Sequence, residues 1–394
     1  MATKQSVSRR GFLGGAAASL GYLGINPTPL RAERSRAWRG SAFLEQESDE
    51  YDAMAKLNFN ENPYGPSEPV LEAMTMAFKY SMRYGYPDGG VLSAIAEHHG
   101  VPQENVMLGA GSGEILEVVG LTYLEHGKKV VGVEPSYGAV YRHASGIDAE
   151  AITLPLMDDY RQSIPALIDA TKKHYRDVGF VYLCNPNNPT GRTVSAAEVQ
   201  QLLDGIPEDV PVLIDEAYHH FVEDPEYATS IPHVLEGRPV IVTRTFSKLF
   251  GMAAMRLGFA IATPEIIEKM RPYSTGSINA LVKWGAVAAL QDTEAQERVR
   301  RVTLELRKQT AAELESMGYG VIPSETNFFM MHTGRHVREV QQDFRARGVR
   351  VGRAFPPMLN HLRVSIGTED EMRRFMVAFK DIFPARTTAG STRG

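Results

Sequence analysis

The feature that most constrains the fold is a regular alternation of continuous apolar runs with helix-forming stretches between Val106 and Ala262. The apolar runs lie at residues 106–108, 130–133, 180–183, 212–214, 240–242 and 257–262. Runs without polar alternation are typical of strands that are buried on both faces. Strands that alternate with helices predict right-handed strand–helix–strand units and a mostly parallel sheet, which binds ligands at the carboxyl ends of its strands.

The helices that belong to this pattern are predicted at residues 112–125, 136–145, 164–173 and 195–203, with a further helix at 68–79 before them. Residues 56–66 read as an extended, turn-rich stretch. After Pro264 the pattern becomes mainly helical, at 264–270, 277–292 and 293–317. Strands at 320–322, 327–331, 349–351 and 362–366, with helices at 336–347 and 369–383, predict a second, small α+β domain.

Composition narrows the class of protein. The chain has 394 residues, of which 43% are hydrophobic and 23% charged, as is typical of a globular protein, and this length favours two domains. The net charge of −5 argues against a nucleic-acid partner. The single cysteine, Cys184, excludes an internal disulfide framework and a CxxC metal site, and its apolar surroundings predict a buried structural thiol.

The N-terminus does not read as part of the fold. Residues 8–13 have the sequence SRRGFL, and the small and apolar run at 11–25 follows. This pattern resembles a twin-arginine export signal, while the run is too short for stable insertion in a membrane. It predicts a periplasmic protein, with a mature start between Ala32 and Ser48. If the signal is not used, the stretch is a disordered basic tail and the protein is cytoplasmic.

The first predicted strand runs into Gly111, Ser112 and Gly113, where a helix begins. Glycines let the backbone approach a ligand, and the free N–H groups of a helix N-terminus attract an anion. The turn is therefore a candidate phosphate cradle, although it is neither a dinucleotide fingerprint nor a P-loop, and many such turns bind nothing. Tyr137 begins the next helix at the same edge, where it either stacks on a flat ring or packs in the core.

Two further strand ends carry polar side chains. Residues 184–191 read CNPNNPTG, a rigid polar turn in which Asn188 offers an amide donor. Asp215 ends the next strand, where a carboxylate is costly unless it is paired. A protonated ring nitrogen would pair it, and Tyr218 would then reach the oxygen of the same ring. The alternative is an aspartate that caps the following helix.

Lys248 follows the last predicted parallel strand, with Ser247 directly before it and Arg256 eight residues later. An amine beyond a buried strand, beside a hydroxyl and an arginine, suits a Schiff base next to a bound phosphate. The alternative is a solvated lysine on a strand-to-loop turn.

The strings at 185–191 (NPNNPTG), 215–218 (DEAY), 247–248 (SK) and 256–258 (RLG) have the order and spacing of fold-type I pyridoxal-phosphate aminotransferases of class I/II. The stretches LNFNENP at 57–63 and YGYPD at 84–88 resemble, more narrowly, the histidinol-phosphate aminotransferase branch. The resemblance covers residues 57–383. It implies a seven-stranded, mostly parallel sheet between helices in a large cofactor-binding domain, joined to the small α+β domain.

The domain boundaries that follow divide the chain into five segments. They are a signal and linker at 1–48, a segment joining the small domain at 49–80, the large domain at 81–290, the small domain at 291–384 and a disordered tail at 385–394.

Carried onto this chain, the resemblance implies that Lys248 is the Schiff-base lysine and proton shuttle and that Asp215 keeps the pyridine nitrogen protonated. Tyr218 and Asn188 would bond the phenolic oxygen. Tyr137 would stack on the ring, and the phosphate would be bound by Gly111, Ser112, Gly113, Ser247 and Arg256. Tyr86 would contact the phosphate across a homodimer with shared active sites. For the substrate, Arg363 would bind the α-carboxylate, and the far end would be recognised by Arg353, Asn62 and Tyr64.

Two positions depart from the family pattern. Gly113 stands where an acid or hydroxyl side chain is frequent, so we expect one fewer side-chain contact to the phosphate. His219 and His220 replace an aliphatic residue and an acid, and we interpret them as structural or surface residues because no third metal ligand accompanies them.

The function expected from the resemblance is transfer of an amino group to a 2-oxo acid by a ping-pong mechanism with pyridoxal 5'-phosphate. The donor would be an amino acid, a histidinol-phosphate-like amine or an aromatic amino acid. Two alternatives stay open from the residues alone: a decarboxylase or lyase on the same fold, and an exported binding or maturation protein without catalysis. No metal, nucleic-acid partner or stable membrane insertion is expected.

Overall fold

The structure is a computed structural model that describes residues 51–385. The predicted export signal and linker, and the predicted C-terminal tail beyond residue 385, lie outside the described residues. Residues 54–385 form one compact unit. The predicted boundaries of a large and a small domain therefore stay a prediction.

The strands of this unit, in chain order, are β1 Ala55–Leu57, β2 Val106–Gly109, β3 Lys129–Glu134, β4 Ala151–Pro155, β5 Val178–Cys184, β6 Val212–Asp215, β7 Val240–Thr245, β8 Gly258–Ile261, β9 Val321–Ile322, β10 Phe328–His332, β11 Val349–Val351 and β12 His361–Ser365. The helices are α1 Glu68–Ala77, α2 Val91–His99, α3 Ser112–Tyr123, α4 Ala139–Gly146, α5 Ile164–Lys173, α6 Ala196–Gly205, α7 Ile231–Leu235, α8 Pro264–Met270, α9 Ala280–Gln291, α10 Thr293–Ser316, α11 Val337–Arg345 and α12 Glu369–Ile382.

A seven-stranded sheet forms the centre, with the strand order β2-β8-β7-β6-β5-β3-β4. β8 runs antiparallel to both of its neighbours, and the remaining strands run parallel to one another. Every residue of β5, β6 and β7 is buried, as the continuous apolar runs predict. The predicted fold class, an α/β protein with a mostly parallel seven-stranded sheet, is confirmed.

Some elements differ from the prediction for identifiable reasons. β4 was not predicted, because its residues alternate between exposed and half-buried at the sheet edge and form no apolar run. Helix α4 begins at Ala139 rather than at 136, because Ala139 N–H donates to the carbonyl of Tyr137 and closes a turn first. Helix α2 was also missed. It begins after Gly90, which has a left-handed backbone conformation with φ of +75°.

Two small sheets lie outside the central one. β1 pairs in parallel with β11, and β9, β10 and β12 form an antiparallel sheet. The chain at residues 56–66, predicted as extended and turn-rich, thus begins with a short strand. Leu57 on β1 and Val364 on β12 belong to one hydrophobic core, together with Phe375 and Phe379 of α12. This core fixes the loop after β1 close to β12, and both contribute to the site described below.

The register of the central sheet aligns polar residues at one edge. Cys184 at the end of β5 is the partner of Asp215 at the end of β6, and Asp215 is in turn the partner of Thr243 on β7. These carboxyl ends open toward the cavity in which the candidate site lies. Within residues 51–385, no helix is long and apolar enough to cross a membrane.

Candidate active site

A cavity of about 810 Å³ lies at the carboxyl ends of the parallel strands. Its walls include most of the residues predicted for the site: Ser112, Gly113, Tyr137, Asn188, Asp215, Tyr218, Ser247, Lys248, Arg256, Arg353 and Arg363. The loop after β1 and the face of α11 complete the lining. The fold thus brings residues that are far apart in the sequence into one space.

One end of the cavity is built to receive a phosphate. Gly111 precedes α3 with φ of +82°, and a Cβ there would lie 2.0 Å from a guanidinium nitrogen of Arg256. Only glycine allows this approach. Arg256 Nη1 donates to Ser247 Oγ at 3.2 Å and to the Ala253 carbonyl at 2.9 Å. No carboxylate of the described residues forms an ion pair with Arg256, so its charge and the N–H groups at the start of α3 are available to an anion.

Asp215 forms the floor of the cavity. Its carboxylate is almost fully buried and accepts hydrogen bonds from Ala217 N–H at 3.2 Å, Thr243 Oγ1 at 3.3 Å and the Tyr182 hydroxyl at 3.4 Å. Burial raises the pKa of Asp215 to about 6, and the hydrogen bonds and the charge of Lys248 oppose that rise. A buried carboxylate in this state favours a cationic partner such as a protonated ring nitrogen. Asp215 is not a helix cap, since the segment that follows it is a turn and a short 3-10 helix.

Lys248 faces Asp215 and Tyr218 across the cavity. Its Nζ donates to the Phe59 carbonyl at 3.0 Å and lies 5.7 Å from the centre of the Tyr218 ring. Burial and, to a smaller extent, the nearby guanidinium of Arg363 lower the pKa of the Lys248 amine to about 8. The neutral amine, which is the nucleophile, is therefore far more populated near neutral pH than in an ordinary lysine. The alternative of a solvated surface lysine does not apply.

Arg363 on β12 is a buried cation that holds no carboxylate among the described residues. Its Nη1 donates to Asn188 Oδ1 at 2.6 Å and its Nη2 to the Asn58 carbonyl at 2.7 Å, while its Nε is buried without a partner. The guanidinium lies 5.3 Å from the ring centre of Phe328 and 4.8 Å from that of Phe355. Burial lowers its pKa to about 10. A planar fork in this state fits a carboxylate.

The Tyr218 hydroxyl receives two amide donors. Asn188 Nδ2 donates to it at 3.2 Å and Asn60 Nδ2 at 3.0 Å. The Asn188 amide, predicted to reach a ring oxygen itself, is thus used for Tyr218 and Arg363 in this arrangement. Burial raises the pKa of Tyr218, so the phenol stays protonated.

Sequence reasoning missed three residues of this site. Tyr182 and Thr243 contact Asp215 from the neighbouring strands, and the only signal for them was a hydroxyl within an apolar run. Asn60 lies in the quoted stretch 57–63, but nothing in that string distinguishes it from Asn62.

Four predicted residues, Gly111, Asn62, Tyr64 and Tyr86, do not line the cavity. Asn62 Nδ2 donates to the Leu249 carbonyl at 2.8 Å, its Oδ1 accepts from Tyr64 N–H at 2.9 Å, and both residues line a separate small pocket. Tyr86 donates to the Ile278 carbonyl at 2.7 Å and is absent from the walls of its own chain's cavity. Arg353 does line the mouth, where its guanidinium lies 4.0 Å from the ring centre of Phe355.

The remaining singled-out residues lie apart from the cavity. Cys184 is a buried free thiol, as predicted, and burial raises its pKa. The rings of His219 and His220 are tilted by 45° with their centres 3.7 Å apart, and His220 contacts Phe250. Burial lowers the pKa of both imidazoles well below the usual range, so they are neutral. No group of three or more potential metal ligands is present in the described part of the chain.

Comparisons with known proteins agree with this geometry. The sequence matches the family "Aminotransferase class I and II" over residues 52–379. The chain belongs to this family. It is 35% identical over 334 residues to the histidinol-phosphate aminotransferase of Symbiobacterium thermophilum, an alignment that covers 83% of this chain and 90% of the relative. It is 34% identical over 353 residues to the aromatic amino acid aminotransferase of Cutibacterium acnes, which covers 89% of this chain and 98% of that protein.

A solved structure with the same fold contains the cofactor. The histidinol-phosphate aminotransferase of Sinorhizobium meliloti, in complex with pyridoxal-5'-phosphate, superposes with a TM-score of 0.78 over 88% of this chain and 98% of that chain, at 24% identity. The present protein is a pyridoxal-phosphate-dependent aminotransferase of fold type I, and neither the decarboxylase or lyase alternative nor the non-catalytic alternative is favoured.

The residues present fit this cofactor. Gly111, Ser112, Gly113, Ser247 and Arg256 would hold its phosphate, Asp215 its ring nitrogen, Tyr218 its ring oxygen and Tyr137 the face of its ring. The unpaired Arg256 and the buried Asp215 each need an opposite charge, and the cofactor has both. When it is bound, the cofactor supplies an electron sink for the substrate's α-carbon.

The protein's own groups perform the remaining tasks. Arg363 would hold the substrate anion and thereby orient the α-carbon toward Lys248. Lys248 Nζ, in its neutral form, would accept the α-proton and later return a proton. Asp215 would stay ionised beside a cation, because the three hydrogen bonds to its oxygens stabilise its charge.

The lowered pKa of Lys248 predicts the pH dependence of its reactivity in protein stripped of cofactor. The neutral amine reacts and exists above the pKa, so a pKa of about 8 moves reactivity toward lower pH than for an ordinary lysine of about 10.4. We expect labelling of Lys248 by a small aldehyde followed by borohydride reduction to have a midpoint close to pH 8, as quantified by peptide mass spectrometry.

Exposed lysines in the same digest provide the reference for reagent reactivity. A midpoint for Lys248 equal to theirs would contradict the assignment. In the holoenzyme, Lys248→Ala should remove the absorbance band of the covalently held cofactor, and a normal band in that variant would refute the role of Lys248.

Proposed function

We propose that this aminotransferase belongs to the histidinol-phosphate branch and takes its amino group from an amine that carries an anionic group. The observation that carries the proposal is the buried guanidinium of Arg363, which contacts amide and carbonyl oxygens but no carboxylate among the described residues. The acceptor is a 2-oxo acid, and the two half-reactions alternate in a ping-pong cycle.

The charge of the cavity supports an anionic donor. Beyond Arg363, the walls carry Arg142, Arg338, Arg345 and Arg353, and none of these four has an ion-pair partner within residues 51–385. The acidic residues that line the cavity are Glu61 and Asp215. Clustered cations without counter-ions attract anionic ligands and raise their local concentration.

An aromatic amino acid is the second candidate donor. Phe355 is buried beside Arg353 and Arg363, with its ring contacting both guanidinium groups, so the cations at this side of the cavity have an apolar neighbour. The similarity to the aromatic amino acid aminotransferase of Cutibacterium acnes also supports this candidate.

A donor series tests the proposal. L-histidinol phosphate, L-phenylalanine and L-aspartate are added separately to purified holoenzyme while the absorbance of the bound cofactor is followed. We expect loss of the band with release of the matching ketone or 2-oxo acid, and we expect L-histidinol phosphate to give the highest kcat/KM. Arg353→Gln should lower kcat/KM for the phosphorylated donor by about tenfold, because a hydrogen bond to a charged group is lost.

Arg335→Gln is the matched control, since Arg335 pairs with Asp343 and does not line the cavity. If no donor changes the absorbance spectrum of the bound cofactor, the proposal is wrong. A preference for L-phenylalanine that Arg353→Gln leaves intact would select the aromatic alternative, and release of carbon dioxide would indicate a decarboxylase.

We also infer that the protein is a homodimer with shared active sites. An exposed apolar strip leads to Tyr86 and contains Met76, Phe78, Met82 and Tyr84, with exposed fractions of 59% or more. An apolar strip of this kind is typical of a surface that another chain covers. Tyr86 does not line the cavity of its own chain, which supports a contact with the cavity of the second copy.

Mixing two inactive variants tests the shared site. Lys248→Ala lacks the amine, and Tyr86→Ala lacks the phosphate contact from across the dimer. Each mixed dimer would contain one complete site, so random re-association should restore about a quarter of wild-type activity. Light scattering gives the mass of the particle. A monomer in solution, or no recovery from confirmed mixed dimers, would refute the inference.

We further propose that the protein is exported by the twin-arginine route and works in the periplasm, on the basis of the sequence SRRGFL at residues 8–13. Replacement of Arg9 and Arg10 by lysine keeps the charge and removes the motif. We expect the double variant to stay in the cytoplasm while the wild type is recovered from the periplasm, as measured by fractionation and immunoblotting. Equal distribution of the two forms would argue for a basic tail and a cytoplasmic protein.

A further inference from the structure

The hydroxyl of Tyr218 lies at the meeting point of two amides that come from opposite parts of the chain. Asn60, in the loop after β1, donates from Nδ2 at 3.0 Å, and Asn188, in the turn after β5, donates from Nδ2 at 3.2 Å. A phenol has one proton and two acceptor positions. Because both amides donate, both acceptor positions are filled. Among residues 51–385 no acceptor receives the phenolic proton, which leaves it for a group in the cavity.

The orientation of each amide is fixed by its other partner. Arg363 only donates, so the oxygen of Asn188 faces it at 2.6 Å and the nitrogen must face Tyr218. Ser365 Oγ accepts from Asn60 N–H at 2.8 Å and donates to Asn60 Oδ1 at 2.9 Å, so the Asn60 nitrogen also faces Tyr218.

Both orienting residues belong to β12. Arg363 and Ser365 are two positions apart on this strand and therefore lie on the same face. One strand thus directs two amides toward one hydroxyl oxygen. An anion bound by Arg363 competes for the guanidinium that orients Asn188, whereas the arm formed by Ser365 and Asn60 stays in place.

We propose that Asn60 is a positioning residue that, held by Ser365, makes the Tyr218 hydroxyl an obligate proton donor to the ring oxygen of the cofactor. The effect of Asn60 on the reaction passes through Tyr218. A hydrogen bond donated to that oxygen stabilises its deprotonated form. The arm formed by Ser365 and Asn60 would therefore keep the ring oxygen of the cofactor deprotonated, while Arg363 and Asn188 rearrange when the substrate binds.

The backbone restricts which residue can occupy this position. Asn60 has φ of +55° and is almost fully buried, and its carbonyl accepts from Asn327 Nδ2 at 3.0 Å. Asparagine, aspartate and glycine tolerate the left-handed conformation, whereas alanine is strained there. Glycine and aspartate therefore remove or alter the amide without adding backbone strain.

Two substitutions in the full-length holoenzyme test the proposal. Asn60→Gly removes the amide, so Tyr218 is free to turn its proton away from the cofactor. The pH midpoint of the cofactor's absorbance change should move upward by about half a unit to one unit. We expect kcat to fall by about tenfold and donor KM to change by less than about twofold, because substrate contacts are kept.

Asn60→Asp should have the larger effect on the pH midpoint. Its carboxylate keeps the bond from Ser365 but accepts from Tyr218, which draws the phenolic proton away from the cofactor. If the glycine variant fails to fold, the aspartate variant alone decides the question, since it keeps the shape of the side chain.

Asn327→Ala distinguishes positioning of the Tyr218 hydroxyl by Asn60 from general support of the loop after β1. It removes the bond to the Asn60 carbonyl and leaves both amides at Tyr218, so it should lower thermal stability without moving the pH midpoint. An unchanged midpoint in both folded Asn60 variants would overturn the proposal. An equal shift in Asn327→Ala would also overturn it, because the effect would then arise from placement of the loop.

Discussion

Buried charge without an internal counter-charge is the constraint on which the site depends. Removing a charged group from water costs several kcal/mol unless it is paired. Here Asp215 and Arg363 are both more than nine-tenths buried. Burial raises the pKa of Asp215 and lowers that of Arg363, which favours the neutral form of each. The fold keeps these groups ionisable through hydrogen bonds to neutral donors and acceptors. A ligand of opposite charge therefore stabilises each of these buried charges strongly. A cofactor and a substrate carboxylate would supply those charges.

A contrast within the same sheet supports this interpretation. Glu216 and Arg244 are also buried, but they pair with each other at 2.7 Å, and Thr229 and Ser230 donate to the remaining oxygen positions of Glu216. The charges of this pair neutralise each other, so neither residue needs a ligand of opposite charge. Glu216 directly follows Asp215, so neighbouring residues on one strand end have opposite roles. Burial alone does not identify a functional charge, and the absence of a partner is what distinguishes Asp215 from Glu216.

The sequence was sufficient for those parts of the fold that local pattern determines. The fully buried strands β5, β6 and β7 form apolar runs, and the polar residues that directly follow them were recognised because parallel strands end at one edge. β4 was missed because an edge strand needs no apolar run. The motif strings located Lys248 and Asp215, but a string does not show where each side chain points.

Asn62 illustrates that limit. The resemblance implied a substrate contact for Asn62, yet its amide closes a turn with Tyr64 and bonds to Leu249. Asn60, two residues earlier, is the one that reaches Tyr218. The difference arises from one left-handed backbone angle at Asn60 and from the parallel pairing of β1 with β11, neither of which has a local signature.

The network around Tyr218 shows why such a site requires the whole fold. Asn60 and Ser365 are 305 positions apart in the sequence, and Asn188 and Arg363 are 175 apart. Ordering these groups costs conformational entropy that two hydrogen bonds of about 1 kcal/mol each do not offset. The core formed by β1, β10, β12 and α12 supplies the difference, because it fixes the loop and the strand regardless of the polar contacts. The geometry at Tyr218 is thus prepared before any ligand binds. Electrostatic stabilisation of a ring oxygen is effective only under that condition, since no donor then has to reorient during the reaction.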